Sequence, residues 1–170
     1  MAPKENSKAS SEFVISRTFN APRDIIFDMW TDPKHLVNWM GPTGSKSHYK
    51  TADIRPGGMS HYYMEIPGGK LWGKVNYKEI QKPSRLVYVQ SFSDENGGLG
   101  THPMAPIFPP EMLTTVIFEA SGNKTNLTLT WIAVNATDEE IATFEGMKPG
   151  MTQGWGGSFE RLDEYLANQK

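Results

Sequence analysis

Apolar and polar residues alternate through Glu12 to Asn20 (EFVISRTFN), which predicts a first strand. The period then changes. Pro22 stands where a helix can begin, because its missing N–H costs nothing at the first helical position. Ile25, Ile26, Met29 and Trp30 give that short helix one apolar face. Asp32-Pro33 restarts a second short helix with Asp32 as its N-cap, and Leu36 and Trp39 point inward. From Ser47 the period returns to two. Strands are predicted over His48 to Ile54, Met59 to Ile66, Lys70 to Ile80 and Arg85 to Phe92. Arg55-Pro56-Gly57-Gly58, Pro67-Gly68-Gly69 and Lys82-Pro83-Ser84 are the turns between them. Met112 to Ala120 and Asn126 to Val134 form a last hairpin around Ser121-Gly122-Asn123.

Two segments depart from this rhythm. Asp94 to Glu111 carries Pro103, Pro106, Pro109 and Pro110 and is too long for a hairpin turn. The C-terminus is helical: Thr137 and Glu140 have capping-box spacing, and Lys148-Pro149-Gly150 interrupts the helix they start. A longer helix then runs to about Ala167, with Met151, Trp155, Phe159, Leu162 and Leu166 at helical spacing. The whole reads as an α+β domain over residues 12–170: an antiparallel meander of about six or seven strands, two short helices after the first strand, and a long C-terminal helix. Residues 1–11 are polar and small and read as a disordered tail.

Strand alternation assigns faces. Tyr62 and Met64 share one on the third strand, and Tyr88, Gln90 and Phe92 share one with Leu86 on the fifth. Val116 and Phe118 fall together on the sixth, and Leu129 and Trp131 on the last. A curved sheet that turns these faces toward Met151, Trp155 and Phe159 encloses more space than small side chains fill. These residues, Leu86 apart, are the candidate lining of an internal cavity for a small apolar or aromatic molecule. Tyr62, Tyr88 and Gln90 are the polar groups on that inner wall, and each needs a partner, a water or a ligand.

Composition narrows the chemistry. The chain has no cysteine, which removes disulfides, thiolate catalysis and cysteine-held metals. None of His35, His48, His61 and His102 forms an H-x-x-x-H pair, so no metal site is expected, and no cofactor is implied. The net charge is -2, with no clustered basic stripe, so nucleic acid is not an expected partner. No run approaches a membrane span, and the N-terminus lacks an apolar signal core; the expected location is cytoplasmic. Gly41-Pro42-Thr43-Gly44-Ser45-Lys46-Ser47 lacks the glycine before its lysine and follows a helix, so it is not a phosphate loop. No G-x-S-x-G elbow occurs, no catalytic residue is assigned, and Asp53-x-Arg55-Pro56-Gly57-Gly58 reads as a turn with an Arg–carboxylate contact.

A series of short motifs adds a resemblance. Ala21-Pro22, Trp30-Thr31-Asp32-Pro33, Trp39-x-Gly41-Pro42, Asp53-x-Arg55-Pro56-Gly57-Gly58 and Pro83-x-Arg85-Leu86 follow one another in order. Ala136-Thr137-x-Glu139-Glu140 and Gly154-Trp155-x-x-x-Phe159-x-x-Leu162 close the set. The chain after Ser11 thereby resembles the activator-of-heat-shock-protein-ATPase-homologue-like family, within the START-like, birch-pollen-allergen-like superfamily. The resemblance implies a helix-grip fold with a hydrophobic ligand cavity. It also implies two rival uses: acid/base catalysis in that cavity, as in cyclases and hydrolases of this fold, and co-chaperone-like protein interaction through the loop at 100–111. No residue points to a chaperone partner, and a homodimer is compatible with the sequence.

Overall fold

The computed structural model describes residues 12–41, 44–101 and 107–169. The tail expected over residues 1–11 lies outside them, as do His102, Pro103 and Pro106 of the long loop. Strand β1 (Glu12–Phe19) leads into α1 (Arg23–Thr31) and α2 (Pro33–Trp39). β2 (Lys46–Ala52), β3 (Met59–Ile66), β4 (Gly69–Gln81) and β5 (Arg85–Phe92) follow. β6 (Glu111–Ser121) and β7 (Lys124–Ala133) precede α3 (Asp138–Gly146) and the long α4 (Lys148–Asn168). The seven strands form one antiparallel sheet in the order β1-β7-β6-β5-β4-β3-β2. Sequential hairpins account for β2 through β7, and β1 closes onto β7 with Phe13 opposite Trp131. Among the described residues no helix is long and apolar enough to cross a membrane.

Local chemistry sets the boundaries, and in three places it moves them. α1 begins at Arg23 with Pro22 in the cap position, one residue later than expected, and the Pro22 carbonyl accepts from the Ile25 and Ile26 amides. β2 runs two residues earlier than its predicted span. Asp53 and Ile54 are taken by the turn, where Asp53 N–H donates to the Met59 carbonyl and Gly58 N–H to that of Arg55. Gly57 in this turn has φ +84°, a region that favours glycine. The Arg55 guanidinium pairs with the Asp53 carboxylate at 2.9 Å on the surface, the contact the sequence suggested. Met147 separates α3 from α4, and Pro149 sits in the first turn of α4, so the proline opens the new helix. The Thr137 capping box forms as expected: Thr137 Oγ1 accepts from Glu140 N–H at 3.1 Å, and Glu140 Oε1 accepts from Thr137 N–H at 2.9 Å.

The concave side of the sheet is filled in two different ways. At one end α1 and α2 plug it with rings. Phe27 lies 5.0 Å from Phe118 between centroids, Trp30 packs edge-on to Trp39 at 4.9 Å, and Phe19 meets Phe159 at 5.4 Å. Trp39 Nε1 donates to the Met29 carbonyl at 2.9 Å and locks the two short helices together. At the other end, beside β3–β5 and the start of α4, packing is incomplete.

Candidate functional site

That incomplete packing leaves a cavity of about 260 Å³. α4 forms one wall with Met151, Trp155 and Ser158. The sheet forms the opposite wall with Met64, Leu71, Gln90, Phe92, Met112 and Trp131. Met40 and Gly41 close one end, and Phe108 and Met147 the other. Five of the nine methionines in the chain line this space, and flexible, polarizable thioethers let a wall adapt to ligand shape.

At two positions on the rim of the cavity α4 carries no side chain. Gly150 and Gly154 lie one turn apart on its lining, and a Cβ built on either meets no atom within 4 Å. Both are exposed, so solvent reaches the cavity along this bare stretch of helix. One turn further, Ser158 pins the neighbouring loop. Its hydroxyl donates to the Gly41 carbonyl at 2.8 Å and accepts from the Gly41 amide at 3.1 Å. Arg161 also donates to the Gly41 carbonyl, at 3.0 Å, and burial lowers its guanidinium pKa.

At the opposite end Phe108 fills the wall from the last part of the long loop. Its ring lies 5.9 Å from those of Phe92 and Phe144. The start of that loop is a compact turn in which Asp94 Oδ1 accepts from Asn96 and Gly98 N–H, both at 2.8 Å. These bonds, that from Gly98 foremost, hold the Asp94 carboxyl below its usual pKa.

Six of the residues expected at the cavity line it: Met64, Gln90, Phe92, Trp131, Met151 and Trp155. Tyr62 stands directly behind, where its hydroxyl accepts from Gln90 Nε2 at 3.1 Å. The other five are elsewhere. Val116, Phe118, Leu129 and Phe159 are fully buried in the ring-packed half, and Tyr88 lies under the sheet's inner face against Tyr77 with its hydroxyl bonded to Thr114. All five are buried, but the cavity occupies only part of the buried side of the sheet. Leu71, Met112, Phe108, Met40 and the α4 glycines were not anticipated. Glycine at spacing four inside a helix was the available signal, because nothing in the backbone conformation of α4 requires it.

The electrostatics are simple. No described lining residue carries an ionisable side chain. Behind the wall, burial raises the phenol pKa values of Tyr62, to about 12, and of Tyr77 and Tyr88. The Trp131 indole N–H is enclosed, has no partner among the described residues and does not open onto the space. No group of three or more His, Asp or Glu residues suited to a metal occurs among the described residues.

An open antiparallel sheet gripping one long helix over an apolar cavity defines the helix-grip class. Residues 20–167 match the family described as Activator of Hsp90 ATPase homolog 1-like protein, and the chain belongs to that family. No curated protein matches the sequence. Among solved structures it is similar to protein Ms6760 from Mycobacterium smegmatis, with 23% identity, 92% of this chain and 91% of that one covered, and a TM-score of 0.77. A protein from Arthrobacter aurescens gives 27% identity, coverage of 95% and 88%, and a TM-score of 0.75. The AHSA1 protein from Silicibacter pomeroyi shares the fold at 18% identity, with 94% and 99% covered and a TM-score of 0.71.

Proposed function

We propose that the protein binds a small hydrophobic or aromatic molecule in the cavity between α4 and the sheet. The observation that carries this reading is the glycine-bounded space itself, walled by thioethers and aromatic rings. Gly154 sits in the interior of a helix, where it costs about 1 kcal/mol relative to alanine. Space kept at that cost points to an occupant. The family to which the chain belongs fits such a role. Catalysis in the same cavity would need an acid or a base, and the described lining offers neither.

Native mass spectrometry of freshly purified protein, paired with a thermal-shift panel of apolar compounds, tests the reading. A retained small molecule, or a rise in melting temperature that grows with compound concentration, is the expected result. A protein that carries nothing and shifts with no apolar compound contradicts it.

A second reading has one observation in its favour. Leu99 and Ile107 are exposed apolar side chains, 59% and 51% accessible, on either side of residues 102–106. They suit a protein contact through the long loop. Capture of a partner by the whole chain but not by a chain lacking residues 100–111 would support it.

A further inference from the structure

Gln90 differs from every other side chain on the described lining. Ser158 has its proton committed to the Gly41 carbonyl, and the remaining side chains are hydrocarbon, thioether or indole. Among the described residues the Gln90 amide has a single partner, the Tyr62 hydroxyl. A primary amide offers two donors and a carbonyl, so one contact leaves both kinds of capacity at the cavity wall.

The sequence builds this contact with care. Tyr62 on β3 lies opposite Gly73 on β4, and Gly73 lies opposite Phe92 on β5. A Cβ on Gly73 would stand 2.5 Å from the Tyr62 ring carbon Cζ and from its hydroxyl oxygen. Only glycine there lets the phenol lie across β4 and reach Gln90 two strands away. Tyr49 backs the same ring with centroids 5.4 Å apart. With its pKa near 12 the Tyr62 phenol stays neutral at physiological pH, so it can donate or accept. The amide can therefore meet it in either of its two flipped orientations, presenting carbonyl or NH₂ to the cavity.

We infer that Gln90, positioned by Tyr62 across Gly73, is the polar handle that selects the ligand: an uncharged, largely aromatic molecule with one hydroxyl or carbonyl group. This rests on the cavity-binding reading above and adds to it the ligand's chemistry. A charged ligand would leave its ion without a counter-charge in an apolar space, which is unfavourable. A pure hydrocarbon would leave the amide half-buried with its remaining capacity unmet.

Naphthalene, 1-naphthol and 1-naphthoate share one ring system and differ in the group that matters. Trp131 and Trp155 sit in the wall, so quenching of tryptophan fluorescence reads binding of each probe. For the wild-type protein we expect 1-naphthol to bind about tenfold more tightly than naphthalene, and 1-naphthoate more weakly than both; a factor of ten is the weight of one hydrogen bond of ordinary strength. Gln90→Leu should erase the naphthol preference while naphthalene affinity holds or improves. Tyr62→Phe keeps the ring and removes the hydroxyl, and should narrow the preference without changing naphthalene binding. Gln90→Met is the second variant if the leucine fails to fold, as judged by circular dichroism. Equal binding of naphthol and naphthalene by the wild type, or an unchanged preference in the folded Gln90 variant, overturns the handle and leaves the cavity reading standing. Binding of none of the three probes overturns the cavity reading itself.

Discussion

Trp155 stacks on Trp30 with ring centroids 5.8 Å apart and only 16° between the planes. Through this pair the gripping helix meets α1, and the packed half of the molecule meets the cavity. The same indole lies edge-on to Trp131 at 5.6 Å and against Phe159 at 5.6 Å. Trp155→Ala removes three aromatic contacts at once and enlarges a space that is already open. The expected cost is about 3–5 kcal/mol, the range for a buried aromatic cut to alanine. Urea denaturation measures it, and a loss below about 1 kcal/mol would mean that α4 is not held through this ring.

Gly154 predicts the opposite sign. Alanine there meets no neighbour and improves helix propensity, so Gly154→Ala should stabilise the protein by about 1 kcal/mol. Gly154→Leu should fold as well but project a side chain toward the cavity, and should weaken binding of any probe the wild type takes up. Denaturation and fluorescence titration on the two variants check the two halves of the claim. A leucine variant that binds as well as wild type would place the occupant elsewhere.

The Thr137 cap gives a local prediction. Thr137→Ala loses the acceptor for Glu140 N–H and should cost about 1 kcal/mol. Thr137→Ser keeps the oxygen and should cost much less. Equal losses in the two variants would assign the effect to packing of the threonine methyl rather than to the cap.

Alkaline pH should unfold the protein through its interior phenols. The folded-state pKa values of Tyr62, Tyr77 and Tyr88 are raised by burial, that of Tyr62 to about 12 against an ordinary value of 10. The folded state therefore holds those protons more tightly than the unfolded chain. Their contribution is whole below about pH 10 and is lost as pH rises toward 12. Ultraviolet titration of phenolate should show these three tyrosines ionising together with loss of near-ultraviolet circular dichroism. Ionisation well before any structural loss would mean that water reaches them in the native state.

Much of this architecture is readable from residue order, for reasons that differ by element. β3 and β5 fall on their predicted spans because a glycine- or proline-containing turn bounds each strand. β2 slips by two because Asp53 and Ile54 look like strand residues locally, and only the hydrogen bonds of Asp53 to Met59 and to Arg55 in the turn remove them. The cavity is harder. Periodicity tells which face Phe118 and Phe92 share with their neighbours, but not how far along that face each one sits. Phe118 lies under α1 and Phe92 beside the gap, and that difference comes from where two short helices dock. The Gln90–Tyr62 contact was legible only as two polar residues on inward faces. That they meet depends on Gly73, whose significance appears when three strands lie side by side.

The pairing of β1 with β7 bears on how the chain acquires its shape. Phe13 finds Trp131, and Phe19 finds Thr125, across more than a hundred residues of intervening chain. Contacts of such separation slow folding, because loop entropy is lost before the pairing rewards it. During synthesis β1 leaves the ribosome long before its partner exists. Phe13 and Phe19 then remain unsheltered until nearly the whole meander has emerged. The last hairpin is thus the step that closes the sheet, and the nascent chain is most open to mispairing just before it arrives.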